Sequence, residues 1–415
     1  MKWGKKINAG ALQYVLVIAV IILIILFAFI QLINLQQKTN LKKTLYQKAV
    51  LNANNSFKFI EAKSVGNNKD FKINFLENSN EEVILKKSYW GIFDLINITS
   101  IVNKEKVNKI GLIGNKIEQK KAIYLTDNNT PLVLVGNSKI QGEVYLPFRG
   151  VKSGNIAGNS FYGGQLIQGV IKRSSSNLPK NDRIQSIEKR LEGLLNNEEN
   201  FELKEDLKVI RSFNEKPLHY RAEGTLVLQK VLLKGNIIIS SQKKIIVTKE
   251  TTLEDIVIIA PEIEIATGVK GSFQAFAADK INVGSNVDLY YPSALVVNLK
   301  KEKLENNNGL FVNNNTSIKG TLIFLKQEKE SLNYFPQLIL GEYTKITGEV
   351  FCKGNTELKG SVTGELYTDG FIAIQAGSKY VNHIYNGNVN ANDLHNQYVG
   401  LGVVSKEKGV AKWLY

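Results

Sequence analysis

From Tyr14 to Ile33 the chain reads YVLVIAVIILIILFAFIQLI, and Gln31 is its only strongly polar side chain. Nothing else in the sequence restricts the fold as much. At 1.5 Å per residue, twenty helical residues reach about 30 Å, the thickness of a bilayer's hydrocarbon core. A core strand needs no such length, and a helix buried in a soluble domain normally keeps a polar side. A cleaved secretory signal has a shorter apolar run ending in a small-x-small site. Here Gln36-Gln37-Lys38 follows instead. We therefore expect a basic leader over residues 1–10 and a retained transmembrane helix over 11–34. Lys2, Lys5 and Lys6 precede the span, and Lys38, Lys42 and Lys43 follow it. The leader lies closest, so the positive-inside rule favours an N-terminus in the cytoplasm and a body outside it.

After the span, Leu41, Leu45, Val50 and Leu51 recur at helical intervals, which predicts a stalk over residues 35–60. The rest is long enough for more than one packed region, and 43% hydrophobic with 22% charged residues is the balance of a folded protein. Short apolar runs such as FKINFL (71–76), EVILKK (82–87) and KAIYLT (121–126) alternate with Asn- and Gly-rich turns. They predict a first β-rich region over 61–178.

Further on, a five-residue unit recurs: aliphatic, polar, Gly, any residue, aliphatic. It is seen at Ile140–Val144, Leu233–Ile237, Ile318–Leu322, Ile346–Val350 and Leu358–Val362, and with a closing aromatic at Val269–Phe273. Glycine lets a strand turn a corner while neighbouring coils stack about 4.8 Å away, and the flanking aliphatics fill a shared interior. The expected fold class is mainly β: a right-handed parallel β-helix, or solenoid, over 207–415, with the intervening polar residues facing solvent. Its coils vary in length through Asn-rich insertions such as residues 305–309. An antiparallel sandwich or barrel is the competing architecture. One helical insertion, KNDRIQSIEKRLEGLLNNEEN (180–200), places Ile184, Ile187, Leu191, Leu194 and Leu195 on one face with Asp182 as cap. It divides the body at 179–206, after a Gly- and Ser-rich loop at 149–164.

No nucleophile elbow, phosphate loop or zinc-protease motif is present. The three histidines (His219, His383, His395) are scattered, and Cys352 is a lone cysteine expected to act as a small buried hydrophobe. We expect no catalytic centre, metal or cofactor. The acids and base that a glycan-cutting enzyme would need are Asp255, Asp279, Asp288, Asp369 and Lys280, each read as a solvated surface group. A net charge of +15 favours anionic partners such as cell-wall or glycan polymers. Without clustered Arg and aromatics, nucleic acid is disfavoured. Trp90, Phe161, Tyr162, Tyr290 and Tyr291 lie in or beside predicted turns, as candidate ligand or partner contacts. Trp413 belongs to an apolar C-terminus expected to dock on the body or meet another subunit.

The leader MKWGKKINAG, ending at Gly10 and followed by ALQYVLVIAV, resembles the N-terminus of type IV pilin-like proteins and of minor pseudopilins of type II secretion. The resemblance implies a cut by prepilin peptidase between Gly10 and Ala11, and packing of the helix among pilus or secretion-system subunits. Most members carry Glu at the fifth position after the cut, where this chain has Val15. A subset of filament-tip subunits lacks that Glu. The stretch ITGEVFCKGNTELKGSVTGELYTDGFIAI resembles bactofilin-type polymer-forming solenoids, which implies a cytoplasm-facing tethered scaffold as the alternative. The expected function is that of a structural, assembly or adhesion protein anchored in a bacterial inner membrane.

Overall fold

The computed structural model describes residues 9–62, 66, 70–73, 80–194, 199–200, 202–204, 206–300, 305, 307–326 and 334–414. The chain is mainly β, with one long apolar N-terminal helix, and it divides into two compact units.

The first unit holds the long helix up to Phe59 with residues 70–85 and 98–108. The helix is continuous from Ala9 to Ala62. It is long and apolar enough to cross a membrane. From Leu12 to Leu35 its large apolar side chains are 49–74% exposed. The stalk stripe differs from the expected one. Leu41 and Leu51 are exposed, whereas Ala49 is buried against Val102 and Val107 with Leu45 and Val50 beside it. Small side chains at the contact let the helix backbone approach the strands closely, so alanine carries the packing. Glu81 fixes this seat by pairing with Lys48 (2.5 Å) and accepting from Asn52 Nδ2 (2.8 Å). The strands here belong to Glu81–Trp90, Phe93–Val102 and Glu105–Lys116, neighbours in one sheet. Two-residue connections between adjacent strands can only make antiparallel hairpins.

The second unit contains residues 60–69, 86–97 and 109–415. Its strands pair in parallel within one large closed sheet. Ile245 pairs with Ile263 and Ile263 with Ile281, so one coil takes eighteen residues. The next step, Ile281 to Leu310, takes twenty-nine, because the Asn-rich insertion lies in it. Beyond residue 220 the antiparallel exceptions are Ser361–Gln375 with Ser378–Val381, and two C-terminal strands that pair with Glu105–Lys116.

Spatial order departs from chain order. Leu366 pairs with Ile123, Ile123 with Val144 and Val144 with Ile171, so residues 121–173 continue the stack where the last coil ends. Strands before and after the helical insertion thus share one sheet, although the sequence reading divides the body there. The insertion forms two helices, Asp182–Gln185 and Ile187–Leu194, and the cap is Asn181 rather than Asp182. Leu195 lies outside the described residues, as do Asn196 and Asn197, expected to end the insertion. The segment read as a loop at 149–164 carries the strand Val151–Ser153 and a small hairpin pairing Asn155 with Ser160.

Each strand of the stack has an inward and an outward column. The inward one runs Ile258, Ala275, Leu295, Leu322, Val350, Leu366, Ile123, Val144. The outward one beside it runs Ile259, Phe276, Val296, Ile323, Phe351, Tyr367, Tyr124, Tyr145. Solvent was expected on that side. Instead Ile187, Leu194, Phe93, Leu112 and Leu401 join this column in a second core. Burial on both faces explains why these strands read as continuous apolar runs such as Ala294-Leu295-Val296-Val297. Phe351, Tyr367, Tyr124 and Tyr145 stack with centroids 5.5–6.0 Å apart.

Candidate functional site

At one corner of the stack Gly320, Gly348 and Gly364 lie in register. Gly348 and Gly364 adopt φ of 140° and 142°, and a Cβ there would sit 2.0 and 1.8 Å from the carbonyl oxygen one coil away. Only glycine fits. The residue that follows is turned to the covered outer face, and in successive coils it is Thr321, Glu349 and Glu365. Glu349 is 0% exposed and Glu365 1%.

These carboxylates are fully engaged. Leu401 N and Gly402 N donate to Glu349 at 2.6 and 2.8 Å. Lys121 N and the Tyr367 hydroxyl donate to Glu365 at 2.8 and 2.9 Å. Burial pushes Glu349 up to about 8, the neighbouring Glu365 adding to the effect. Burial likewise raises Glu365 to about 7, against the pull of its donors. Tyr291 and Tyr398 complete the grip, donating to Val399 O (2.7 Å) and Gly320 O (3.0 Å). From the other side, Asn181 Nδ2 donates to Leu401 O and Val403 O while its Oδ1 caps the short helix. The C-terminal segment is clasped between them.

Two carboxylates one coil apart have a spacing close to the ~5–5.5 Å of a retaining glycosidase pair. Beside Glu365 lies a 40 Å³ cavity walled by Lys121, Tyr367 and Gly402, room for water and for nothing the size of a sugar. What this arrangement can do is hold a strap and take up protons.

A second buried charge cluster is centred on Asp94 of the strand Phe93–Val102. Asp94 is bracketed by Arg183 (3.1 Å), Arg190 (3.0 Å) and Lys87 (3.5 Å). These cations, the arginines first, hold its carboxyl below the usual range in spite of burial. Arg183 also donates to Ile92 O and Asn115 Oδ1, and Arg190 to Phe93 O. The cluster ties the helical insertion to the strands beside it.

The residues expected to meet ligands are dispersed. Trp90, read as an exposed ring, is 2% exposed: Nε1 donates to Asp255 O (3.0 Å) and Phe213 packs edge-on at 5.2 Å. Tyr291 is turned inward by its bond to Val399, whereas Tyr290 beside it is 43% exposed. Phe161 packs against the inner core, and Tyr162 is exposed. Trp413 is half exposed on the strand Lys408–Leu414, with Lys109 Nζ 4.1 Å above its ring. The leader cut at Gly10 and Ala11 falls at the start of the helix, where Gly10 has open space around it.

Of the acids weighed for catalysis, Asp255 is no surface group. Its side chain is 1% exposed and binds Lys412 through both oxygens at 2.7 and 2.8 Å. Asp288 pairs in register with Lys270 and Ser317, and Lys280 with Glu262 and Gly309, so they stand in separate columns. Among the described residues no group of three His, Cys, Asp or Glu could hold a metal. Cys352 is buried in the inner core, which pushes its thiol up to about 12.

Sequence reasoning missed the carboxylate corner, although a signal was available. Gly-Glu recurs at 142–143, 341–342, 348–349 and 364–365, although Glu342 is exposed. The copy framed as Leu358–Val362 belongs to a different corner, where Lys359 N and Ser361 N donate to Leu340 O and Thr344 O; the coil's true counterpart is Val362–Leu366. Comparison with protein-family models, with curated proteins and with solved structures finds no match to this chain.

Proposed function

We propose that this chain is a structural or binding protein of the bacterial envelope, displaying a right-handed parallel β-helix outside the cytoplasm from a single inner-membrane helix. One observation carries the reading. A single 54-residue helix has bare apolar side chains from Leu12 to Leu35 and becomes buried, at Ala49, Ala53 and Phe57, where it seats on the strands. Bare apolar length of this kind is stable only in lipid or among other apolar helices. The right-handed coil is supported by the parallel pairings, since crossovers between parallel strands are right-handed in nearly all cases. The basic leader ending at Gly10 favours a minor pilin-like subunit of a filament or secretion apparatus, with other subunits of that apparatus as partners.

The test is protease treatment of intact cells and spheroplasts expressing the full chain, followed by the mass of the N-terminus. Digestion of the body in spheroplasts with cells intact supports the reading; a body protected until lysis overturns it in favour of a cytoplasmic scaffold. An N-terminus beginning at Ala11 supports the pilin-like form, and an intact Met1 removes it.

A further inference from the structure

One corner of the stack repeats a turn whose second residue before the paired strand has a left-handed backbone. In successive coils Lys270, Asp288, Ser317 and Lys345 are register partners. Two residues before each stand Gly268, Asn286, Asn315 and Tyr343, with φ of 77°, 56°, 57° and 59°. Glycine and asparagine are the residues that tolerate this conformation; a bulky aromatic is a genuine outlier there. Burial does not compensate the fourth coil, because Tyr343 is 73% exposed. The fold needs only Gly or Asn at this turn, and the chain carries a strained, outward-held ring.

That ring lines a cleft of about 520 Å³, with Tyr385 also on the wall. The rest of the lining is polar, with amides and hydroxyls such as Gln375, Asn388 and Ser361 together with the charged Glu342, Lys345 and Lys359. Among the described residues, the side chains of Lys345, Gln375 and Asn388 make no hydrogen bond, so their donors and acceptors are available. Aromatic faces suited to apolar C–H surface, beside amides that both give and accept hydrogen bonds, match the two-sided chemistry of a sugar ring. Strain kept at an exposed position points to use.

We propose that the cleft between Tyr343 and Tyr385 is an oligosaccharide-binding site, with Tyr343 as its stacking platform. This goes beyond the anchored-body reading and does not depend on which side of the membrane the body occupies. The full chain in detergent is titrated calorimetrically with three probes: an N-acetylglucosamine oligomer, a cello-oligosaccharide and an oligogalacturonate. The third engages Lys345 as well and separates acidic from neutral preference. The expected result is binding of at least one probe, weakened tenfold or more by Tyr343→Asn and unchanged by Tyr46→Ala, which removes an exposed tyrosine elsewhere. Tyr343→Asn is also expected to raise the denaturation midpoint, since it relieves the turn. No binding of any probe at millimolar concentration, equal binding by Tyr343→Asn, or a lowered midpoint for that variant would each overturn the assignment.

Discussion

Replacing Glu365 by Gln should make the protein more stable above neutral pH and leave it nearly unchanged in acid. Gln fits the existing bonds: its oxygen accepts from Lys121 N, and its amide donates to the Tyr367 hydroxyl where the carboxylate now accepts. The magnitude follows from the raised folded value, about 7 against an ordinary 4.5. Between those values the unfolded chain gives up its proton and the folded chain keeps it, so wild-type stability falls as pH rises. The stability is fully present below about 4.5 and lost as pH passes through about 7. Two and a half units at 1.36 kcal/mol each come to roughly 3 kcal/mol. Gln does not titrate and loses none of it. Guanidinium unfolding of the full chain in detergent, followed through the emission of buried Trp90 and run from about pH 4 to about pH 8, measures the difference. Wild-type and variant curves that stay parallel across that range would refute the idea that Glu365 is held protonated by burial.

Asp94→Asn should destabilise by about 3–5 kcal/mol, because it leaves Arg183, Arg190 and Lys87 buried without their counter-charge; the same unfolding assay reads it. With its carboxyl held below the usual range, Asp94 contributes stability that is present above the ordinary carboxylate value and lost as acid takes pH down through the folded one. Gly364→Ala should cost more than 3 kcal/mol or abolish soluble yield, since its Cβ would meet Gly348 O at 1.8 Å in a left-handed backbone. Gly377→Ala, with open space around a left-handed turn, should cost only about 1 kcal/mol, and a larger loss there would mean that coil contacts are not what makes Gly364 special.

Several features could be read directly from the sequence because their cause is local. A twenty-residue run with a single strongly polar side chain, Gln31, specifies a helix that needs lipid or apolar neighbours, whatever follows. Gly between aliphatics marks a corner, since the backbone angle is a property of that residue alone. The Asn-rich stretch at 305–309 reads as an insertion for the same reason, and it lengthens its coil. The apolar run at 82–87 likewise marks a strand, which the structure extends to Glu81–Trp90.

Other features depend on which coil lies next to which, and no local pattern carries that. Residues 121–173 extend the stack beyond 361–375 because Leu366 meets Ile123 across 243 positions of chain, a pairing fixed only by closure of the whole sheet. Glu349 and Glu365 look in sequence like any solvated acids. They are buried because the outward side of their strands is covered, and their pKa values move because the cover excludes water. Trp90 reads as a turn aromatic until its hairpin meets Asp255 O. Residue identity alone determined where this chain bends and which helix is long and apolar enough to cross a membrane; tertiary packing decided which of its polar groups lose water, because desolvation belongs to the surroundings and not to the side chain.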